Sequence, residues 1–541
     1  MRMKKKWLLS WLILPSLLCQ AQERTWLSTD RYFYAAGETV HCSAFCRNET
    51  GSVSVFSGIA YVELYTDEGT VATAKIALVD GRGAGSLSLP KDLPTGNYRL
   101  SAYTALGRNA EHPDFDAYAR TISVYNTGRS ARKDVRIVEN LPDNPVPENG
   151  PVRILAEGET FVLQSPEEAS VSISVWRDGG FPDYDTAGPA AFLAAPSAGA
   201  WKPVVTPEFD GEILYATVTG PDGQPVPQWA GRDLYLGSPG SESDIYAAIL
   251  KADGEATFYT ANIFGDKDMA LSLKDGSTGW QIRFRSPFIG LHAANVPALF
   301  LSPSMEPELI RLGVAMQVTE AFDADTLYEH LPLRNLSFVG DSRVRYALDD
   351  YTRFATMQEV FTEILPDLRA RRGDDGKMEI KVRCQNRFNQ VPVFQDGRSL
   401  MLLDGVPILD HDIIWQYDPM LVKTIDIFPY DYVFGNTSYA GVANFITYKG
   451  DMPTAKLGDE VKIIDFQGVS YPVAITEASF PEEYPDLRQT LCWQPLVTLA
   501  PGESLRIPVR LPEGPGTWVV RVEGFTRSGQ PVSRRFTYTR P

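Results

Sequence analysis

Between Thr25 and about Val124, short apolar-rich runs are broken at intervals by turn residues. Ile59 to Leu64 leads through Asp67-Glu68-Gly69 into Val71 to Leu78, and Pro94-Thr95-Gly96-Asn97 feeds Tyr98 to Tyr103. Strand-length runs with Gly, Pro, Asn or Asp roughly every 8–12 residues predict an antiparallel β-sandwich over residues 22–128. A second β region is expected within 135–205, from Gly158-Glu159-Thr160 and the run Ser170 to Trp176, followed by an Ala/Pro/Gly-rich loop from Gly180 to Trp201. A third lies within 206–300. It opens at Gly211-Glu212-Ile213, runs through Ala216 to Thr219, turns at Pro221-Asp222-Gly223-Gln224, and continues with Leu234 to Leu236 and Ala256 to Tyr259. Residues 301–353 read as a partly helical linking segment.

The periodicity then changes. Val360, Phe361, Ile364 and Leu365 fall on one face of a helix that Pro366 ends. Strands are predicted at Met378 to Cys384 and Leu400 to Leu403, with Asp404-Gly405 a tight turn into Val406-Pro407. A short helix over Asp412 to Tyr417, Asp418-Pro419 and a strand from Val422 to Phe428 follow. After Tyr432-Val433-Phe434-Gly435, the segment closes on Tyr439-Ala440-Gly441-Val442-Ala443-Asn444-Phe445-Ile446-Thr447-Tyr448-Lys449-Gly450. Residues 354–450 are thus an α/β module. The tail, 455–541, returns to strands at Tyr471 to Ile475, Ser504 to Arg510, Thr517 to Phe525 and Arg534 to Tyr538, the pattern of one more sandwich. The fold class expected is mainly β: tandem Ig- or macroglobulin-like sandwiches around one α/β domain.

Two segments resemble known families. Asp30-Arg31-Tyr32, Ala36-Gly37-Glu38-Thr39-Val40 and Leu93-Pro94-Thr95-Gly96-Asn97-Tyr98-Arg99-Leu100 resemble the macroglobulin-type domain of the alpha-2-macroglobulin family. The Cys-Gly-Glu-Gln thioester motif of that family's trapping members is absent from the sequence, so the resemblance does not imply covalent trapping. Residues 354–450 resemble the plug domain of TonB-dependent outer-membrane receptors. The matching positions are Leu403, Asp404, Gly405, Val406, Pro407, Asp418, Pro419, Gly435, Gly441, Val442, Lys449 and Gly450; Ala440 stands where plugs often carry Asn. Only 91 residues follow Gly450. A receptor barrel of about 22 strands, at about 9–11 residues each, needs at least roughly 200 before loops, so no barrel fits within that tail. The resemblance implies a structural or interface role for these positions.

The N-terminus carries Arg2, Lys4, Lys5 and Lys6, then an apolar run from Trp7 to Leu18, then Gln20-Ala21-Gln22. That order predicts a signal peptide over 1–21, cut near Ala21, and an exported protein in the periplasm or outer-membrane layer of a Gram-negative envelope. Cys19 offers lipidation as the alternative, although Leu17 and Leu18 before it suit that processing poorly. Hydrophobic content of 44% supports folded cores, and a formal charge of −17 disfavours nucleic acid as a partner. Cys42 and Cys46, four apart in one strand, are too distant to bridge, so buried free thiols are expected there.

Catalytic constellations are sparse. The five histidines form no His-x-x-x-His pair, and neither a Gly-x-Ser-x-Gly elbow nor a phosphate loop is present. Asp404, Asp410, His411 and Asp412 could mark a metal or general-base site, but a turn residue and a helix cap explain Asp404 and Asp410. The paired acids Asp349-Asp350 and Glu482-Glu483 read as solvated faces. No cofactor, metal or catalytic residue is expected. The function expected is a non-catalytic envelope binding or scaffold protein with outer-membrane or other envelope proteins as partners. The alternatives are a macroglobulin-like protein contacting proteases or peptides, and a carbohydrate-active or carbohydrate-binding sandwich.

Overall fold

The computed structural model describes residues 23–110, 114–142, 147–185, 188–196, 205–240, 244–321, 328–332, 343–385, 392–452, 454–476, 487–512 and 514–540. The leader with Cys19 and Ala21, Trp201 and Glu482-Glu483 lie outside them. The chain is mainly β, in many small sheets. Among the described residues no helix is long and apolar enough to cross a membrane. The chain divides into two compact units, one of Met1–Gly211, Pro287–Pro332 and Val469–Pro541, the other of Glu212–Ser286 and Leu333–Gly468.

In the first unit, an eight-stranded sheet spans residues 23–125 and encloses Leu27, Val40, Val62, Leu64, Ile76, Leu100 and Ile122. Its spine runs Phe33–Ala35, Arg120–Tyr125, Gly96–Tyr103, Glu23–Thr29, Thr39–Asn48 and Arg82–Ser88. The expected turns have specific anchors. Tyr98 donates its hydroxyl to the Pro94 carbonyl at 2.7 Å, closing the Pro94–Asn97 turn. Glu38 accepts from the Ala35 N–H at 2.6 Å and pairs with Arg31 at 3.0 Å, which ties the Gly37-Glu38 corner to the preceding strand. Cys42, Cys46, Cys384 and Cys492 are buried free thiols.

The segments expected to form separate sandwiches at 135–205 and 455–541 instead contribute strands to one. Ala169–Arg177 lies between Thr490–Leu499 and Gly516–Thr526, with Pro531–Arg540 at the sheet edge. Thr160–Gln164 is flanked by Arg153–Glu157 and Ser504–Pro508 in the facing sheet. The reason is burial. Val171, Ile173, Val175, Leu499, Trp518, Val520 and Val522 line one sheet, and Phe161, Leu163 and Ile507 cover them from the facing one. The 180–201 stretch, expected as loop, contains a helix over Pro189–Ala194, with Pro at its first turn. The linking segment is helical from Glu306 to Ala321.

A seam of buried charge joins these two sandwiches. Arg120 donates to Glu523 at 2.8 Å and pairs with Asp185 at 2.5 Å, while Asp30 accepts from Thr490 Oγ1 at 2.5 Å. Charges this deep are tolerated only because they are mutually paired. Elsewhere in the unit, the buried Glu63 carboxylate accepts from three successive backbone N–H groups, Ile289, Gly290 and Leu291, at 2.9, 3.2 and 2.9 Å.

In the second unit, Ile213–Thr219, Glu255–Tyr259 and Gln281–Phe284 form a three-stranded sheet. A four-stranded sheet of Asp244–Ile249, Asp233–Ser238, Lys267–Leu273 and Val461–Phe466 shares its core, including Val218, Leu236, Phe258, Leu271 and Trp280. Val461–Phe466 thus serves this sandwich rather than the C-terminal one. The remaining residues build a five-stranded sheet ordered Val344–Ala347, Val422–Phe434, Thr437–Thr447, Leu400–Leu403 and Val406–Pro407. The helix Met357–Glu363 starts with a capping box, Thr356 and Glu359 bonding reciprocally, and packs Val360 and Phe361 into the same core.

Candidate functional site

Leu402 pairs with Pro407 and Leu403 with Val406, leaving Asp404-Gly405 as a two-residue hairpin turn. Both have positive φ, 47° and 82°, the backbone of a type I′ turn. The buried Asp404 carboxylate accepts from Thr447 N–H and Oγ1, each at 2.7 Å, and from Met452 N–H at 2.8 Å. Gly405 N–H donates to Asn444 Oδ1 at 3.0 Å, and Gly450 N–H to Thr447 Oγ1 at 3.0 Å. These bonds weld Leu403–Pro407 to Thr447–Gly450, with Lys449 left exposed.

Asp418 caps the turn that follows it, accepting from Met420 N–H at 2.9 Å, and Pro419 is buried. Arg353 donates to the carbonyls of Pro419 and Val422 at 2.6 and 3.0 Å. Tyr448 N–H donates to Leu421 O at 3.2 Å and its hydroxyl to Asp349. On the segments that these bonds hold, Tyr351, Met420 and Tyr448 are 45, 51 and 51% exposed.

The other motif positions lie elsewhere. Gly435, at φ 62°, sits in the tip between Phe434 and Thr437. Asp233 holds that tip by accepting from Asn436 N–H and Thr437 Oγ1, both at 2.9 Å. Gly441, at φ 80°, passes under Met378–Gln385; a Cβ there would lie 2.6 Å from Val382 Cβ and 2.8 Å from Cys384 Sγ. Val442 is buried and pairs with Leu400 and Phe428. The signature therefore describes a frame rather than one pocket.

The acidic run around His411 also serves the frame. Asp410 accepts from Asp412 N–H at 3.0 Å, Asp412 from Met378 N–H at 3.0 Å, and His411 Nδ1 from Ile380 N–H at 2.9 Å. Burial lowers the His411 pKa to about 4 despite the nearby Glu379, Asp410 and Asp412, so its ring is a neutral acceptor. Of the aromatics near these turns, Tyr417 and Phe434 are buried, Trp415 and Tyr432 half-buried, and Tyr430 exposed. Sequence reasoning passed over Tyr351 and Met420, whose only signal is an apolar residue beside a polar turn.

No family model matches this chain, and no curated protein matches it. Among solved structures it is similar to trypsin-activated alpha-2-macroglobulin from Escherichia coli, with 10% identity and a TM-score of 0.22 over 96% of this chain and 41% of that one. Salmonella alpha-2-macroglobulin reacted with methylamine gives 10% identity and 0.21 over 96% and 39%. The Yersinia pseudotuberculosis adhesin InvE gives 10% and 0.14 over 48% and 57%. The chain spans about two fifths of the length of these macroglobulins.

Proposed function

We propose that this chain is an exported, non-catalytic envelope protein that binds other envelope proteins. In this reading, residues 22–128 are a macroglobulin-type sandwich without a thioester. Residues 354–450 are a relative of receptor plugs. The observation that carries the reading is the pairing of a saturated frame with exposed apolar side chains on the turns beside it. Asp404, Asp410, His411 and Asp412 are each taken up by backbone N–H groups, which leaves no poised acid or base among them. Tyr351, Met420 and Tyr448 meanwhile stand on rigid turns, with the aromatic and thioether character that anchors protein interfaces.

The test uses tagged full-length protein recovered from detergent-solubilised envelopes, alongside Met420→Glu and Tyr448→Ala. A stoichiometric outer-membrane protein held by the parent chain and lost from both variants supports the proposal. A monomer without partner, or a partner held equally by the variants, overturns it.

A further inference from the structure

The three-stranded sheet of the second unit packs one face on its core; on the other, Ile213 is buried, Tyr215, Thr217 and Thr257 are half-buried, and Glu255, Tyr259 and Arg283 are exposed. Leu214, Ala216, Val218, Ala256 and Phe258 fill the inner face. The outer positions form cross-strand rows. Ile213 sits opposite Tyr259, Tyr215 opposite Thr257, and Thr217 opposite both Glu255 and Arg283. Arg285 N–H bonds Tyr215 O, and its guanidinium stacks 5.1 Å from the Tyr215 ring centre.

Two features of this face are unlike an ordinary solvated sheet. Tyr259 is 70% exposed, an aromatic ring displayed at the margin with nothing packed over most of it. Arg283, in the strand, and Arg285, just past its end, are both exposed and two residues apart, about 7 Å by extended-chain geometry. Among the described residues neither forms an ion pair, in a chain whose net charge is −17. Glu255, the acid on this face, is already bonded to Lys251 at 3.1 Å. The face thus carries two guanidiniums without an ion pair among the described residues, threonine hydroxyls and aromatic rings.

We propose that this face binds a carboxylated polysaccharide, a chain of uronic acid units. Guanidinium groups recognise carboxylates through paired N–H donors. Tyr259 offers its ring to the apolar face of a sugar, and Thr217 and Thr257 offer hydroxyls to sugar hydroxyls. Charge complementarity selects an acidic glycan over a neutral one. Charge density argues against nucleic acid. A duplex presents one phosphate per about 1.7 Å, and an acidic protein with only two arginines here meets more repulsion than attraction from it. A uronate chain carries about one charge per sugar ring, which two arginines can match.

Full-length protein is run by native affinity electrophoresis through gels containing polygalacturonate, dextran or single-stranded DNA. Retardation by polygalacturonate alone is expected, with at least tenfold weaker binding in Arg283→Ala/Arg285→Ala. Tyr259→Ala is expected to weaken binding several-fold without changing its salt dependence. All three side chains are exposed, so the variants should melt as the parent does. Absence of retardation, retardation unchanged in the double arginine variant, equal retardation by dextran, or equal retardation by DNA would each overturn the proposal.

Discussion

Asp404→Ala is the perturbation that most directly tests how the five-stranded sheet is held. The substitution removes a buried carboxylate that accepts from Thr447 N–H, Thr447 Oγ1 and Met452 N–H at 2.7, 2.7 and 2.8 Å. Hydrogen bonds to a charged acceptor contribute roughly 1.5–3 kcal/mol each. The Thr447 hydroxyl can turn to another acceptor, but the two backbone donors cannot move. Alanine also lacks the side-chain compensation that lets Asp adopt φ near +47°, adding about 1 kcal/mol. Releasing the carboxylate from its buried site offsets part of this, so the net cost is about 3–5 kcal/mol. Asp404→Asn keeps the shape, the tolerance of positive φ and one acceptor oxygen, and should cost about 1–2 kcal/mol. Hydrogen exchange of the Thr437–Thr447 amides reads this locally, which matters because a chain of several cores does not unfold in two states. The alanine variant should exchange there roughly a hundred- to several-thousand-fold faster, at one power of ten per about 1.4 kcal/mol. An effect below about tenfold in folded protein, or equal effects of Ala and Asn, would refute the account of Asp404 as the clamp.

Three further outcomes follow from the same structure. Gly441→Ala should destabilise the second unit by at least about 2 kcal/mol, because the backbone has φ 80° and the new methyl meets Val382 and Cys384; solubility and exchange in Met378–Gln385 report it. His411 is neutral in the fold with a pKa near 4, whereas an unfolded histidine titrates near 6.5, so the unfolded chain gains its proton first as pH falls. Stability of the second unit should therefore be constant above about pH 7 and decline between about 6.5 and 4 by up to about 3 kcal/mol, a slope that His411→Gln flattens. The hydrogen bonds to Glu63 hold its pKa below the usual value against burial, so its contribution is present above the unfolded value and lost on acidification through the lower folded one. Glu63→Gln should release residues 288–291, read as faster exchange there with the sheet around Ile59–Thr66 retained.

What the sequence disclosed was local. The Asp404-Gly405 turn, the Asp410 cap, the helix from Met357 and the strand at Leu400–Leu403 are all governed by residues within a few positions of one another, and all stand where the pattern put them. The pairing of Ala169–Arg177 with strands more than three hundred residues later was invisible, because an alternating strand specifies that it needs a partner and not which one. The same limit hid Asp233 as the holder of the Gly435 turn. The motif positions proved legible as geometry and illegible as a site. Apart from the glycines and the exposed Lys449, their side chains are spent on the frame, and the exposed Tyr351 and Met420 beside it carry no spacing rule to announce them.

The strand Ala169–Arg177 has a consequence in time as well as in space. Its two sheet neighbours begin at Thr490 and Gly516, so 312 residues lie between its last residue and the first of those strands. At roughly 5–20 residues per second, that interval is about 16–60 s of synthesis during which the strand bearing Val171, Ile173 and Val175 has no sheet neighbour. A chain stopped after the five-stranded sheet would carry that apolar strand with both edges open. Such a strand is a template for association with other chains. The C-terminal strands are therefore the closing step for a core begun in the first third of the molecule.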